Sequence, residues 1–231
     1  MKNKLGYYVL SKKDTKALHA AIEKTFEFDV ANSMTMHPMV THPGYLHIDV
    51  LVGEKEDETL LVSTGASSKK ALKYFPSKEV FAKIKNNTEQ TRTLCKNLID
   101  DACFNNPADS SPNAQCILLS EFEYLFLDGY DEYHDTTGYW GLFIVPKIET
   151  DIDGKGYEFY QIIPAYKEEL EFIEENSTLE LRYGKLCEAI INQIPERQYF
   201  DVKHDKLSKK QLNDILNQLK KQKSEDDYVV G

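Results

Sequence analysis

Tyr45-Leu-His-Ile-Asp-Val-Leu-Val52 and Leu60-Leu-Val-Ser-Thr-Gly-Ala-Ser67, with a short charged stretch between them, are the two runs on which the fold is read. Leu46, Ile48, Val50 and Val52 alternate with His47, Asp49 and Leu51, the period of two expected of a strand with one buried face. Leu60 and Val62 resume the alternation. Residues 54–58 are all charged and belong in water, so the two runs predict a β-hairpin with a longer loop. Gly65 then permits a backbone turn that a larger residue would resist.

Working outward, the 231-residue chain is 41% hydrophobic and 29% charged, enough to bury a core without staples. No run approaches the ~20 apolar residues that span a bilayer. The N-terminal residues 1–10 have too short an apolar run for a signal peptide, so a cytoplasmic protein is expected. Cys95, Cys103, Cys116 and Cys187 lack C-x-x-C spacing and read as reduced, mostly buried thiols rather than a zinc site. The net charge of −10 disfavours nucleic acid and anionic membranes as partners and favours a basic one.

Asp14 is placed to cap a helix over residues 15–26, with Leu18, Ala21, Ile22, Thr25 and Phe26 on one side. Residues 32–44, rich in Met, His and Pro, read as a loop. His37, His42 and His47 are five apart, a spacing that suits neither a helix face nor a strand face, so no metal site is expected. Val80, Phe81 and Ile84 after Pro76 predict a short helix, with a strand as the alternative. Asn87-Thr-Glu-Gln90 has the form of a capping box opening a helix to about Phe104, with Leu94, Cys95, Leu98, Ile99, Ala102 and Cys103 inward. Residues 116–119 and 124–127 have strand length.

A second hairpin is expected from residues 142–146 and 157–164. Asp151-x-Asp153-Gly between them begins like a calcium loop, but Lys155 and Ile162 occupy ligand positions, which leaves a turn. Lys167 opens a helix whose Glu168, Glu169 and Glu171 suit the helix dipole. Another helix runs over 178–194 and stops at Pro195. Ser208-Lys-Lys-Gln211 is a further capping box, before a stripe of Leu212, Ile215, Leu216 and Leu219 and a tail from Ser224 expected to be disordered. The expected division is a domain over 1–195 and an extension over 196–231.

The stretch between Asp128 and Trp140 mixes acidic and aromatic side chains. Aromatics supply contact area and carboxylates supply sign, so Asp128, Tyr130, Asp131, Glu132, Tyr133, Asp135 and Trp140 form the candidate partner-binding patch. Phosphate-loop, dinucleotide, G-x-S-x-G and H-E-x-x-H motifs are missing from the sequence. His47 with Asp49, or Glu121 with Glu123, could be drawn as acid–base pairs; a hydrolase using His47 and Asp49 is the rival reading. No catalytic residue, metal or cofactor is assigned.

His47-Ile-Asp-Val-Leu-Val and Leu61-Val-Ser-Thr-Gly-Ala-Ser, followed downstream by Gly141-Leu-Phe-Ile-Val-Pro and Tyr160-Gln-Ile-Ile-Pro-Ala-Tyr-Lys-Glu-Glu-Leu-Glu-Phe, resemble the suppressor-of-fused domain family over residues 17–194. The resemblance implies an α+β fold: a mixed, largely antiparallel β-sheet packed with helices in an α/β sandwich, with no active site. It implies a protein partner. Animal members clamp an extended peptide, partly by strand addition. Bacterial members resemble immunity proteins that neutralise a cognate toxin, and an acidic chain suits a basic toxin domain. A general peptide-binding scaffold is the other non-enzymatic alternative.

Overall fold

A computed structural model describes residues 10–37, 48–66, 78–105, 115–118, 137–177 and 183–229. Among these residues, seven strands and five α-helices run in the order α1 (Lys12–Phe26), β1 (Met34–Met36), β2 (Asp49–Glu54), β3 (Thr59–Thr64), β4 (Lys78–Ile84), α2 (Glu89–Asn105), β5 (Gln115–Leu118), β6 (Tyr139–Ile152), β7 (Lys155–Tyr166), α3 (Lys167–Asn176), α4 (Tyr183–Ile191) and α5 (Lys209–Val229). The strands form one sheet in the order β1-β2-β3-β4-β7-β6-β5. The β4–β7 pairing is parallel, Lys78 opposite Glu158, while β1–β2, β2–β3, β3–β4 and β5–β6 are antiparallel. The fold is therefore α+β with a mixed, mostly antiparallel sheet, as expected.

The chain divides into two compact units. The first comprises Met1–Ser110, Pro146–Ile162 and Tyr199–Asp201. Its core joins Leu18, Ala21, Ile22 and Phe26 of α1 to Leu51, Leu60, Val62, Phe81, Tyr157 and Phe159. The rings of Phe81 and Phe159 meet Phe26 edge-on at 4.9 and 5.1 Å. The predicted hairpin is present, Asp49 opposite Thr64 and Glu54 opposite Thr59. One expectation fails. Leu51 is as buried as Val50 and Val52, and every residue of β3 is buried. Leu60 and Val62 meet α1, while Leu61 points the other way along the strand and is also buried. Both faces of β3 are thus covered.

Three local readings are corrected. Ser11, not Asp14, caps α1; its hydroxyl accepts from the Asp14 N–H, so Asp14 sits inside the first turn. Residues 78–84 form β4, not a helix: the spacing of Val80, Phe81 and Ile84 suits a helix, but Ala82 is buried too, and strands on both sides supply hydrogen bonds that override local preference. Met34–Met36, placed in a loop by sequence, is an edge strand with no buried residue to announce it. The α2 face is as predicted, with Leu94, Cys95, Leu98, Ile99, Ala102 and Cys103 all buried, although Thr88 rather than Asn87 supplies the cap.

The second unit comprises Ser111–Val145, Ile163–Gln198 and Val202–Gly231. Phe143, Ile163 and Ala165 of the β6–β7 hairpin pack with Leu170 and Ile173 of α3, Leu186, Cys187 and Ile190 of α4, and Leu212, Ile215 and Leu216 of α5. The capping box at Ser208 and Gln211 forms in both directions. The helix it opens continues past Ser224 to Val229, because no Gly or Pro interrupts it. The connection expected between residues 146 and 157 contracts to Asp153-Gly154, whose φ values of 53° and 77° make the tight hairpin turn. Residues 178–182 of the predicted helix over 178–194 and the predicted strand over 124–127 lie outside the described residues.

Candidate functional site

The last residues of the acidic, aromatic stretch open β6 in the second unit. Gly138 has φ +77°, and a Cβ there would stand 3.1 Å from the Tyr166 ring. Tyr139 that follows is fully buried, and Trp140 is half-buried with the Lys167 ammonium 5.4 Å from its ring centre. Trp140, Tyr166, Lys167, Glu168 and Glu171 line an open cleft of about 510 Å3 whose far wall is the run Lys203 to Lys206.

Beneath the cleft lies a buried ion pair. The guanidinium of Arg197, 1% exposed, donates from Nη1 to Glu169 Oε2 at 2.6 Å and from Nη2 to Glu169 Oε1 at 2.9 Å. Glu169 has no exposed surface, and also accepts from the N–H groups of Tyr166 at 3.1 Å and Leu207 at 3.3 Å. Arg197 lies 4.8 Å from the ring centre of Tyr166 and donates to the Asp205 carbonyl at 2.8 Å. The charge is therefore neutralised where it is buried, and the pair's further hydrogen bonds go to backbone, while Arg197 Nε has no acceptor among the described residues.

Two tyrosines complete the arrangement. The Tyr139 hydroxyl donates to the Val202 carbonyl at 2.9 Å and accepts from the His204 N–H at 3.2 Å. The single O–H of Tyr166 is shared between the carbonyls of His204 and Thr137. Burial pushes the Tyr139 phenol up to about 12 and raises Tyr166 as well, so both remain proton donors at ordinary pH. At the rim, Lys206 donates to Glu168; that hydrogen bond lowers the Glu168 carboxyl and raises the Lys206 ammonium. These groups hold chain segments in place, and no hydroxyl among them faces a base able to activate it.

Trp140 is the one member of the predicted patch within the described residues; Asp128, Tyr130, Asp131, Glu132, Tyr133 and Asp135 lie outside them, as do His47, Glu121 and Glu123. Asp49 contacts the Nδ1 of His37 at 2.7 Å. Among the described residues no group of three or more His, Cys, Asp or Glu is arranged to hold a metal ion, and no helix is long and apolar enough to cross a membrane. Sequence reasoning missed Tyr139, Glu169 and Arg197. The sequence presents Glu169 as a dipole partner at a helix start, and Arg197 only as the first residue of the charged segment 197–206. The nearest signal was Tyr166 and Glu169, three apart across the strand-to-helix boundary.

The first unit contains a second buried carboxylate. Glu79, with no exposed surface, accepts from Ser63 Oγ at 2.6 Å and from the Gly65 N–H at 3.1 Å, and Ser63 Oγ accepts from the Val80 N–H at 2.8 Å. The Ser63-Thr-Gly-Ala turn is thereby tied to β4, a structural use for residues that could pass for a nucleophile in the sequence.

No protein-family model and no curated sequence matches the chain. Among solved structures it is similar to Drosophila Suppressor of Fused, at 12% identity and a TM-score of 0.55 over 90% of this chain. The chain spans 55% of the length of that protein. It is also similar to a chain in a crystal structure of the Sufu–Fu complex, at 13% identity and a TM-score of 0.48, over 78% of this chain and 84% of that one. The backbone likeness to the Drosophila protein shows that this chain has the suppressor-of-fused fold.

Proposed function

We propose that this chain is a non-enzymatic, cytoplasmic protein-binding module that neutralises a cognate toxin by occluding it. The observation that carries the reading is the cleft at Trp140. It is open, lined by an aromatic ring and by charges of both signs, and underlain by ionisable groups that fix backbone rather than poise a reaction. The patch of Asp128, Tyr130, Asp131, Glu132, Tyr133, Asp135 and Trp140 would supply contact over roughly 800 Å2 per partner. The net charge of −10 favours a basic toxin domain.

The test is titration of the purified chain with the toxin domain encoded beside its gene. Tight binding that protects cells producing the toxin, and weakens when Asp131, Glu132 and Tyr133 are replaced together by Ala, is the expected result. A chain that leaves the toxin free, or that turns over a substrate by itself, refutes the reading.

A further inference from the structure

Two side-chain nitrogens of the second unit are buried without a hydrogen-bond partner among the described residues, and both belong to residues that line one cleft. The first is Arg197 Nε. The Nη1 and Nη2 groups of Arg197 meet Glu169, and Nη2 also donates to the Asp205 carbonyl at 2.8 Å. In a planar guanidinium the Nε–H runs parallel to that outer Nη2–H, so it faces the segment that carries Asp205. The second is Nε2 of His204, the neighbour of Asp205. The backbone of His204 is fixed on both sides: its N–H donates to the Tyr139 hydroxyl at 3.2 Å, and its carbonyl accepts from Tyr166. Both nitrogens are covered, so bulk water does not satisfy them.

The cleft has a volume of about 570 Å3, within the range of small-molecule sites, and shares His204, Asp205 and Lys206 with the cleft at Trp140. Ile194 and Leu207 are its buried apolar members, and Gln193, Glu196, Asp205 and Gln211 are exposed polar ones. Its cations are matched: Arg197 is paired with Glu169 and Lys206 with Glu168. Glu196 and Asp205 add two carboxylates, which disfavours an anionic ligand.

We propose that this cleft binds a neutral polyhydroxylated small molecule, a sugar or polyol, one hydroxyl of which takes up Arg197 Nε–H and His204 Nε2. A hydroxyl is the group that fits both. Its oxygen accepts from Arg197, which has donors only, and it either donates to a bare Nε2 or accepts from a protonated one. A carbonyl would serve just one of those tautomers, and an ammonium would oppose Arg197. The C–H faces of the ligand rest on Ile194 and Leu207, and its other hydroxyls meet the amides and carboxylates of the rim. A hydrogen bond to a donor left unmade in the free chain contributes more than one that displaces water.

The test applies the full chain to an array of immobilised neutral oligosaccharides and measures the best hit by calorimetry, with inorganic phosphate as the control. At least one neutral saccharide should bind, phosphate should not, and the ring nitrogen resonances of His204 should shift on saturation. His204→Phe keeps a ring and removes both nitrogens, so affinity should fall by about tenfold, the loss of one hydrogen bond; His204→Gln, which keeps a donor and an acceptor, should lose less. An array with no bound saccharide, phosphate bound in place of one, unmoved ring nitrogens, or equal affinity in His204→Phe overturns the proposal. The nitrogen shifts are read on the parent chain, so they decide the matter even where a variant fails to fold. Toxin binding is measured separately and stands or falls without the saccharide.

Discussion

Replacing Arg197 by Met keeps the length of the side chain and deletes its charge. Glu169 then remains without exposed surface, its carboxylate facing only the N–H groups of Tyr166 and Leu207. Removing one member of a buried pair costs roughly 3–5 kcal/mol, and the two surviving N–H donors place this case near 3. The Asp205 carbonyl loses its donor as well, which adds about 1 kcal/mol, for an expected loss of about 4 kcal/mol. Trp140 is the only tryptophan and lies in the same unit, so its emission during urea unfolding reports that unit. The double change Arg197→Met with Glu169→Leu should be milder than Arg197→Met alone, since no charge is then left buried. A loss below about 1 kcal/mol for Arg197→Met would refute the reasoning, because it would mean that the pair is solvated in the folded chain.

Gly53→Ala should cost about 1–3 kcal/mol by overpacking, because a Cβ there would stand 2.5 Å from ring carbons of Phe28. Phe28→Leu in the same chain should recover part of that loss in thermal unfolding, and strict additivity would contradict the contact. Asp201→Ala removes the carboxylate that accepts from the N–H groups of Lys85 and Asn86; a loss of about 1 kcal/mol and faster amide exchange at those two residues are expected. Burial pushes the Glu58 carboxyl up, but the hydrogen bonds from Lys83 and Tyr199 and the charges of Lys83 and Lys55 outweigh it and hold the carboxyl low. A carboxyl lowered by folding stabilises above its unfolded value and loses that contribution as pH falls through its folded one. Stability of the parent chain should therefore drop more steeply than that of Glu58→Gln between about pH 5 and about pH 3; parallel curves would refute the assignment.

The helices were legible where one face is buried and the repeat is long enough to show it, as in α2 and in the Leu212–Leu216 stripe of α5. The sheet was legible in its hairpins and not in its middle. Alternation marks a strand covered on one side, whereas β3 is covered on both and β4 takes its ladder from two neighbours. The edge strand β1 buries none of its residues and has no pattern to read. In the candidate site, Trp140 stood out by composition. Arg197 and Glu169 did not, because a charge in a sequence reads as surface until its partner is seen. They stand 28 positions apart, which hides that partnership, and the rest of the acidic patch lies outside the described residues.

The parallel β4–β7 pairing has a consequence for how the chain is made. Lys78 faces Glu158, so during synthesis from the N-terminus β4 emerges long before its neighbour exists. Until then one side of β4 is an unpaired ladder beside Val80 and Phe81, a surface prone to join another nascent chain. Tyr199, which bridges to Lys83, arrives later still. Closure of the first unit therefore waits for translation to run well past its own α2, and slow, chaperone-dependent maturation is the expected phenotype of any change that weakens β4.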